Sequence, residues 1–339
     1  MTSSVPLLAL SGMLLTFVVT LVLFPPYMRL LRYLGIVKTP RSDAPTSHGR
    51  KRGTPTMAGL LVVLVVTLAT VLFYFFVPGE EQTPGRTRGD YVVQTLTPLL
   101  ALVSVGALGA LDDYLDAIFG RGIRGRHKLI WQASVAVAGG IYIQRHFAIT
   151  GIFIPLSGEW LIGGVAFIVL AIVAIVGTSN GVNLTDGLDG LSGGTVVFAF
   201  LSFAFIAFAR EYFFLAVFCT LMTGAVAAFL WFNVHPAEVF LGDSGSLALG
   251  ATLAVASLTT GFIALLPIAG VIFFIETLSV ILQVVSFKVW HRRIFRMAPI
   301  HHHFELIGWP EEKVTIRFWL IGALAGIIAA ILAFATPVK

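Results

Sequence analysis

Apolar stretches of about 20 residues recur along this chain from one end to the other. Each is long enough to cross a hydrocarbon core of roughly 30 Å as a helix. A chain built this way must satisfy its backbone internally at membrane depth, which points to helices. Composition agrees: 57% of the 339 residues are hydrophobic and 12% are charged, about half the charged share of an ordinary soluble domain. The mean hydropathy is +0.93. The predicted fold is therefore all-α and polytopic, a single transmembrane catalytic domain over 1–339. Ten spans are expected, at approximately 5–27, 57–77, 92–111, 129–147, 160–177, 191–209, 213–232, 245–260, 262–287 and 315–335. The run from Val5 to Phe24 lacks a basic flank and a small-residue cleavage site, so it reads as a true span rather than a leader. Cys219 is the lone cysteine, which excludes a disulfide within the chain.

Orientation follows from the basic residues. Arg29, Arg32, Lys38, Arg41, Arg50, Lys51 and Arg52 fall in the first loop, Arg121, Arg124, Arg126 and Lys128 in the third, and Lys288, Arg292, Arg293, Arg296, Lys313 and Arg317 in the ninth. Seventeen of the 22 Lys and Arg thus share one side. That side is expected to be cytoplasmic, with both termini periplasmic and the protein in the inner membrane of a bacterial cell. The fifth and seventh loops share this side by parity, yet they carry acids and no Lys or Arg.

Seven of the 17 acidic residues crowd into three short stretches at span ends: Asp112, Asp113, Asp116, Asp186, Asp189, Glu238 and Asp243. Acids at such positions can simply mark the water interface. Carboxylates beside an anionic leaflet gain nothing from it, however, and like charges drawn together repel unless a cation sits between them. A hard divalent ion is the economical answer. Mg²⁺ takes oxygen ligands, usually one or two carboxylates plus substrate phosphates, whereas a zinc site would be expected to use cysteine. On a helix Asp112 and Asp113 diverge by about 100° and do not aim at one ion without unwinding. Asn183, Asp186 and Asp189 are three apart, so one helical turn would align them. Glycines at 187, 190, 242 and 245 permit close backbone approach to a ligand.

Two further features lie on the same expected face, and a third lies within a span. Arg50-Lys51-Arg52 precedes Thr54-Pro55-Thr56-Met57; positive-inside topology explains such a cluster, and phosphate binding by Lys51 is the sharper reading. His301-His302-His303 follows Pro299-Ile300. It reads as a plain surface run or as a phosphate- or carboxylate-orienting group; in an extended loop His301 and His303 would share a side. Glu276 lies inside the ninth span, with Ser279 and Gln283 on its helical face. An ionisable residue at that depth is either functional or part of an interhelical hydrogen bond.

Taken in order, Thr54-Pro55-Thr56-Met57, Leu111-Asp112-Asp113-Tyr114, Ser179 to Leu191, Phe240 to Gly250 and Pro299-Ile300-His301-His302-His303-Phe304-Glu305 resemble the phospho-N-acetylmuramoyl-pentapeptide transferases, a branch of the polyprenyl-phosphate N-acetylhexosamine-1-phosphate transferases. The resemblance covers the whole chain. It implies transfer of phospho-MurNAc-pentapeptide from UDP-MurNAc-pentapeptide to undecaprenyl phosphate, with Mg²⁺, giving lipid I and UMP for peptidoglycan synthesis. It implies catalytic roles for Asp112, Asp113, Asp243, His301, His302 and His303, with Asp243 as the metal ligand and Asp112 and Asp113 as further candidate ligands. It carries substrate binding over to Lys51, Thr56, Lys128, Asn183, Asp186, Gly187, Leu188, Asp189, Asn233, Phe240 and Gln283. It further implies membrane lipid and a second copy of the chain, as a homodimer, for partners, and no nucleic acid. Ala58 stands where the family usually has glycine, and Asp116 where some members carry a basic residue. The sister GlcNAc-1-phosphate transferases are the alternative within the class. A secondary transporter is the alternative outside it, and would hold its ionisable groups near the bilayer centre.

Overall fold

The computed structural model describes residues 4–37, 53–76, 88–147 and 151–336. Ten helices of 17 residues or more run through them: α1 (Ser4–Tyr33), α2 (Ala58–Tyr74), α3 (Arg88–Phe119), α4 (Gly125–His146), α5 (Gly164–Thr185), α6 (Leu191–Ala209), α7 (Phe213–Asn233), α8 (Asp243–Thr259), α10 (Val271–Trp290) and α12 (Glu311–Ala335). Two short helices, α9 (Leu266–Ala269) and α11 (Ile300–Leu306), interrupt the series. Seven of the helices are long and apolar enough to cross a membrane: α1, α3, α5, α6, α7, α10 and α12. Among the described residues the chain is a multi-pass, all-α membrane protein apart from one hairpin, β1 (Gly151–Ile154) with β2 (Gly158–Leu161), paired antiparallel with Gly151 opposite Leu161.

The innermost helix is α8, buried at every residue from Ser244 to Thr259. Its composition explains how that is reached. Small residues such as Ala248, Gly250, Ala251 and Ala254 let α3 and α5 close on it, the usual means of helix association where lipid offers no hydrophobic drive. Its hydroxyls turn back on their own helix: Thr252 donates to Ala248 O at 2.7 Å, Ser257 to Ala254 O at 2.7 Å and Thr259 to Val255 O at 2.9 Å. No buried donor in this stretch then needs water. α7 packs between α1 and α6, and α12 covers α6.

Two backbone approaches set the position of α8. Gly59 of α2 meets Gly245 so closely that a β-carbon on Gly59 would overlap the Gly245 backbone. Gly109 of α3 meets the Asp243 carbonyl in the same way. Below these contacts a buried polar network joins three helices: Gln132 of α4 donates to Ser179 Oγ at 3.0 Å, Ser179 of α5 donates to Leu247 O at 2.8 Å, and Asn180 donates to Gln132 Oε1 at 2.9 Å.

Several expectations change in the structure. The third span runs on to Phe119 and the fifth to Thr185, so Asp112, Asp113 and Asn183 are helical rather than in loops. The ninth is broken: a single 3-10 turn at Ile263–Leu265 and α9, with Pro267 in its first turn, precede a bend at Gly270. Leu7, Leu10 and Leu14 of α1 and Leu320, Leu324 and Ile331 of α12 face outward, as lipid-facing residues must. A largely apolar groove of about 380 Å³ opens between α5 and α10, lined among others by Val173, Gly177, Ile263, Phe273 and Phe274.

The Gly59–Gly245 contact is expected to admit no side chain. Gly59→Ala should cost about 1–3 kcal/mol, the usual range for overpacking, and should show as a lowered melting temperature in detergent relative to Ala58→Gly.

Candidate active site

One end of the bundle gathers the C-terminal ends of α3, α5 and α7 with the N-terminal ends of α4, α8 and α12, and the acids meet there. α8 begins at Asp243, and its first amide hydrogens point away from its own helix, as at every helix start. Asp113 accepts them: Asp243 N–H donates to its Oδ1 at 2.9 Å and Ser244 N–H to its Oδ2 at 3.0 Å. The carboxylate is a cap supplied by another helix, and its charge suits the positive end of α8. A β-carbon on Gly242 would collide with it, and Gly242 has φ 74°, so glycine is required there twice over.

Asp112, one residue earlier, turns the other way. Its Oδ1 accepts the Ile123 amide and its Oδ2 takes the Lys128 ammonium at 2.6 Å. Lys128 donates to Asp243 Oδ2 at 2.7 Å as well. Asn183 completes the group, its Nδ2 donating to Asp243 Oδ1 and to Ser246 Oγ, each at 2.8 Å. Two carboxylates thus converge on one cationic point. Lys128 lies just ahead of the apolar run that opens at Leu129. Burial works to lower its pKa, but the facing Asp243 and Asp112 outweigh burial and hold it above the ordinary lysine value.

A second centre lies between the α5–α6 turn, the α7–α8 loop and α12. Asp189 Oδ2 faces His235 Nδ1 at 3.0 Å and accepts the Ala237 amide at 3.1 Å. Glu311 Oε1 accepts the Asp189 amide at 2.6 Å, and Glu312 Oε1 lies 3.4 Å from His235 Nε2. Asp189, His235 and Glu311 bring potential ligand atoms within 4.8 Å of one another. Asn233 braces the same loops, accepting from Gly190 N–H at 3.0 Å and donating to Val239 O at 2.8 Å.

Comparison with known proteins gives the family. Residues 95–261, which include Asp112, Lys128, Asn183 and Asp243, match the family described as glycosyl transferase family 4. A phospho-N-acetylmuramoyl-pentapeptide-transferase of Geobacillus sp. (strain WCH70) is 41% identical over 315 residues, covering 92% of this chain and 94% of that one. The protein of the same name in Anoxybacillus flavithermus is 42% identical over 93% of this chain and 94% of its own. That in Bacillus subtilis (strain 168) is 40% identical over the same shares. The chain belongs to the phospho-N-acetylmuramoyl-pentapeptide-transferase family.

The structure distributes the expected site residues of this transferase among several local environments. Asp112, Lys128, Asn183 and Asp243 meet directly. Asn183, Asp186 and Asp189 do not share a face, because α5 ends at Thr185 and Asp189 lies in the following turn. Leu188 is buried with Leu191, Ile272, Val314 and Phe318. Phe240 is nearly buried, with its amide donating to Pro55 O at 2.8 Å, which brings the Thr54–Met57 stretch and Thr56 alongside the α7–α8 loop. Gln283 spends its amide on loop backbone, accepting from Ile294 and Phe295 N–H and donating to Phe295 O. Asp116 and Glu238 are exposed. Lys51 lies outside the described residues.

The histidines are not extended. They form the first turn of α11, so successive rings diverge by about 100°. His301 is buried against Glu276, His302 Nδ1 meets Glu305 Oε2 at 2.7 Å, and His303 Nδ1 accepts the Arg296 amide at 3.1 Å. Gln132, His235 and Glu311 went unnoticed in the sequence. Gln132 carried a signal, a polar side chain within a predicted span; Glu311, after Pro310, sits where acids favour a helix start.

The two neighbouring aspartates should separate experimentally. Asp113→Asn keeps one acceptor where two amides are held, so it should lower stability by about 1–2 kcal/mol along with activity. Asp112→Asn should leave the melting temperature near that of the parent while reducing turnover at least about 10²-fold. Parallel melting and turnover measurements check both.

Proposed function

We propose that this chain transfers phospho-MurNAc-pentapeptide from UDP-MurNAc-pentapeptide to undecaprenyl phosphate, releasing UMP and forming lipid I. The observation that carries the reading is the convergence of Asp112 and Asp243 on one cationic point beside Asn183 and the N-terminus of α8, in a chain about 40% identical to proteins of that activity by name. Phosphoryl transfer asks little covalent chemistry of a protein; it asks for positioning and for positive charge around the phosphates. A helix N-terminus with an adjacent lysine supplies both. The apolar groove between α5 and α10 suits the polyprenyl chain of the acceptor.

The donor atoms fit Mg²⁺. Asp112 and Asp243 present carboxylate oxygens to a common point, and the surrounding donors are oxygen and amide rather than sulfur. Asp243 is the ligand we assign, with Asp112 beside it. Mg²⁺ held there supplies charge neutralisation on the donor's diphosphate and on departing UMP. Lys128 adds a cation at the same point. Asp113 acts by holding the start of α8, and with it Asp243, in place. The lipid phosphate is already largely ionised at neutral pH, its second pKa being about 6, so little base catalysis is needed to make it a nucleophile.

The loop after α10 is the region we assign to the lactyl-peptide. Arg292, Arg293 and Arg296 are outside the buried core, and His302 and His303 flank them on α11. A bare GlcNAc has no carboxylates to meet these groups, and sites left with unpaired polar groups discriminate strongly.

UMP release should therefore be seen with UDP-MurNAc-pentapeptide and not with UDP-GlcNAc. Comparable rates with both donors would move the chain to the sister branch. Asp243→Ala should abolish Mg²⁺-dependent turnover in a protein that still melts cooperatively. The basic asymmetry supports a site on the cytoplasmic face with both termini outside; a reporter fused after Lys339 should be active only in the periplasm.

A further inference from the structure

Glu276 and His301 form a fully buried pair that the chemistry above does not use. Glu276 is 0% exposed in the middle of α10 and His301 is 1% exposed at the start of α11, with His301 Nδ1 3.1 Å from Glu276 Oε1. Placing such groups away from water is costly unless they hold each other. The other edge of the imidazole explains what the arrangement achieves. His301 Nε2 lies against Gly187 so closely that a β-carbon there would overlap it. Gly187 is flanked by Asp186 and followed by Asp189, the turn expected to receive the nucleotide. The backbone at Gly187 does not have a positive φ, so glycine is required for room, and the room is filled by His301.

We propose that Glu276 is a positioning residue for the donor site, acting through His301. Glu276 holds the imidazole by charge and contact, its Oε1 3.1 Å from Nδ1, and so favours the ring orientation that turns Nδ1 toward it. The Nε2 edge is thereby wedged beneath Gly187. The wedge sets the height of the turn from Asp186 to Gly190 relative to Asn183 and Asp243. α10 is thereby coupled to the nucleotide pocket, although Glu276 meets neither donor nor lipid. Gln283 and Ser286, further along the same helix, hold the loop that leads into α11: Gln283 accepts the Ile294 and Phe295 amides, and Ser286 donates to Arg292 O at 2.8 Å. The helix thus fixes α11 from both ends of that loop, which is what a wedge at His301 requires.

The inference rests on reading the 186–190 turn as part of the donor pocket, and its test separates the two. UMP release from the full chain in lipid is measured while UDP-MurNAc-pentapeptide is varied at saturating undecaprenyl phosphate, and then the reverse. Glu276→Ala and His301→Ala are expected to raise the donor KM about tenfold or more, with the lipid KM within about twofold of the parent, as for loss of a group acting on one substrate's site. Glu276→Gln keeps an oxygen of the same shape facing Nδ1 and should recover most of that loss. Gly187→Ala, which displaces the wedge from the other side, should reproduce the donor defect, and it carries the test if Glu276→Ala fails to accumulate. An unchanged donor KM in Glu276→Ala, with a raised one in Asp186→Ala, would overturn the proposal while leaving the pocket in place. Equal losses on both substrates with a lowered melting temperature and no rescue by glutamine would reduce the pair to packing and overturn it too. Should Asp186→Ala and Gly187→Ala also leave the donor KM unchanged, the pocket assignment itself falls and takes the proposal with it.

Discussion

A helix that begins inside a protein leaves its first amide hydrogens facing whatever lies beyond, and in this molecule α8 begins where water is scarce. Asp113 resolves that problem from across the α3–α8 interface, accepting from Asp243 and Ser244 with its two oxygens. Much else follows from this one bond pair. Because the cap comes from α3, the start of α8 cannot move without α3. Because Asp113 is occupied, its neighbour Asp112 is the carboxylate that remains to face Lys128 and, through it, Asp243. Adjacent acids on a helix point about 100° apart, and here the divergence divides their work: one anchors a helix, the other joins the cationic centre.

That arrangement needs close helices, and the close helices need small residues. Gly59 against Gly245, Gly109 against Asp243 and Gly250 against the Thr178–Ser179 backbone bring α2, α3 and α5 within backbone contact of α8. Larger side chains at these positions would hold the helices several ångströms apart and open the carboxylate centre. The hydroxyls of α8 and the Gln132–Ser179–Asn180 network meet the complementary demand, giving the buried polar side chains along these contacts partners on neighbouring backbone and side chains.

Much of this was legible in the sequence, and the rest was hidden for identifiable reasons. Hydropathy located the apolar cores of the helices; the predicted 191–209 coincides with α6. It ended α3 and α5 too early, because Asp112, Asp113 and Asn183 look like loop residues until their partners on other helices are known. Pro267 and Gly270 were visible, but an unbroken apolar run across them concealed the interruption before α10. The hairpin of β1 and β2 is short and was read as part of the neighbouring loop and span. At the site, motif resemblance picked out Lys128, Asn183 and Asp243, which the fold brings together. It could not show that Leu188 faces inward or that Gln283 is committed to loop backbone, since spacing says nothing about which side of a turn a residue occupies. His235 escaped notice because its partners, Asp189 and Glu311, are 46 and 76 positions away and become neighbours only once α12 packs on α6.

The distribution of charge carries the last step. Carboxylates crowded at one end of a bundle repel unless each has a separate reason to be there. Asp113 is compensated by a helix terminus, Asp112 and Asp243 by Lys128, Asp189 by an amide and His235, and Glu276 by His301. Four local solutions make the crowding of buried and half-buried acids tolerable. Asp112 and Asp243 share one cation, on a flexible lysine side chain, beside the Ile123 amide and Asn183, whereas the other acids are met by backbone amides or histidine rings. A lysine ammonium on four methylenes is also the partner most easily redirected to a phosphate. The centre whose cation rides on a flexible side chain is therefore the one where an incoming diphosphate and its ion meet least resistance from the fold.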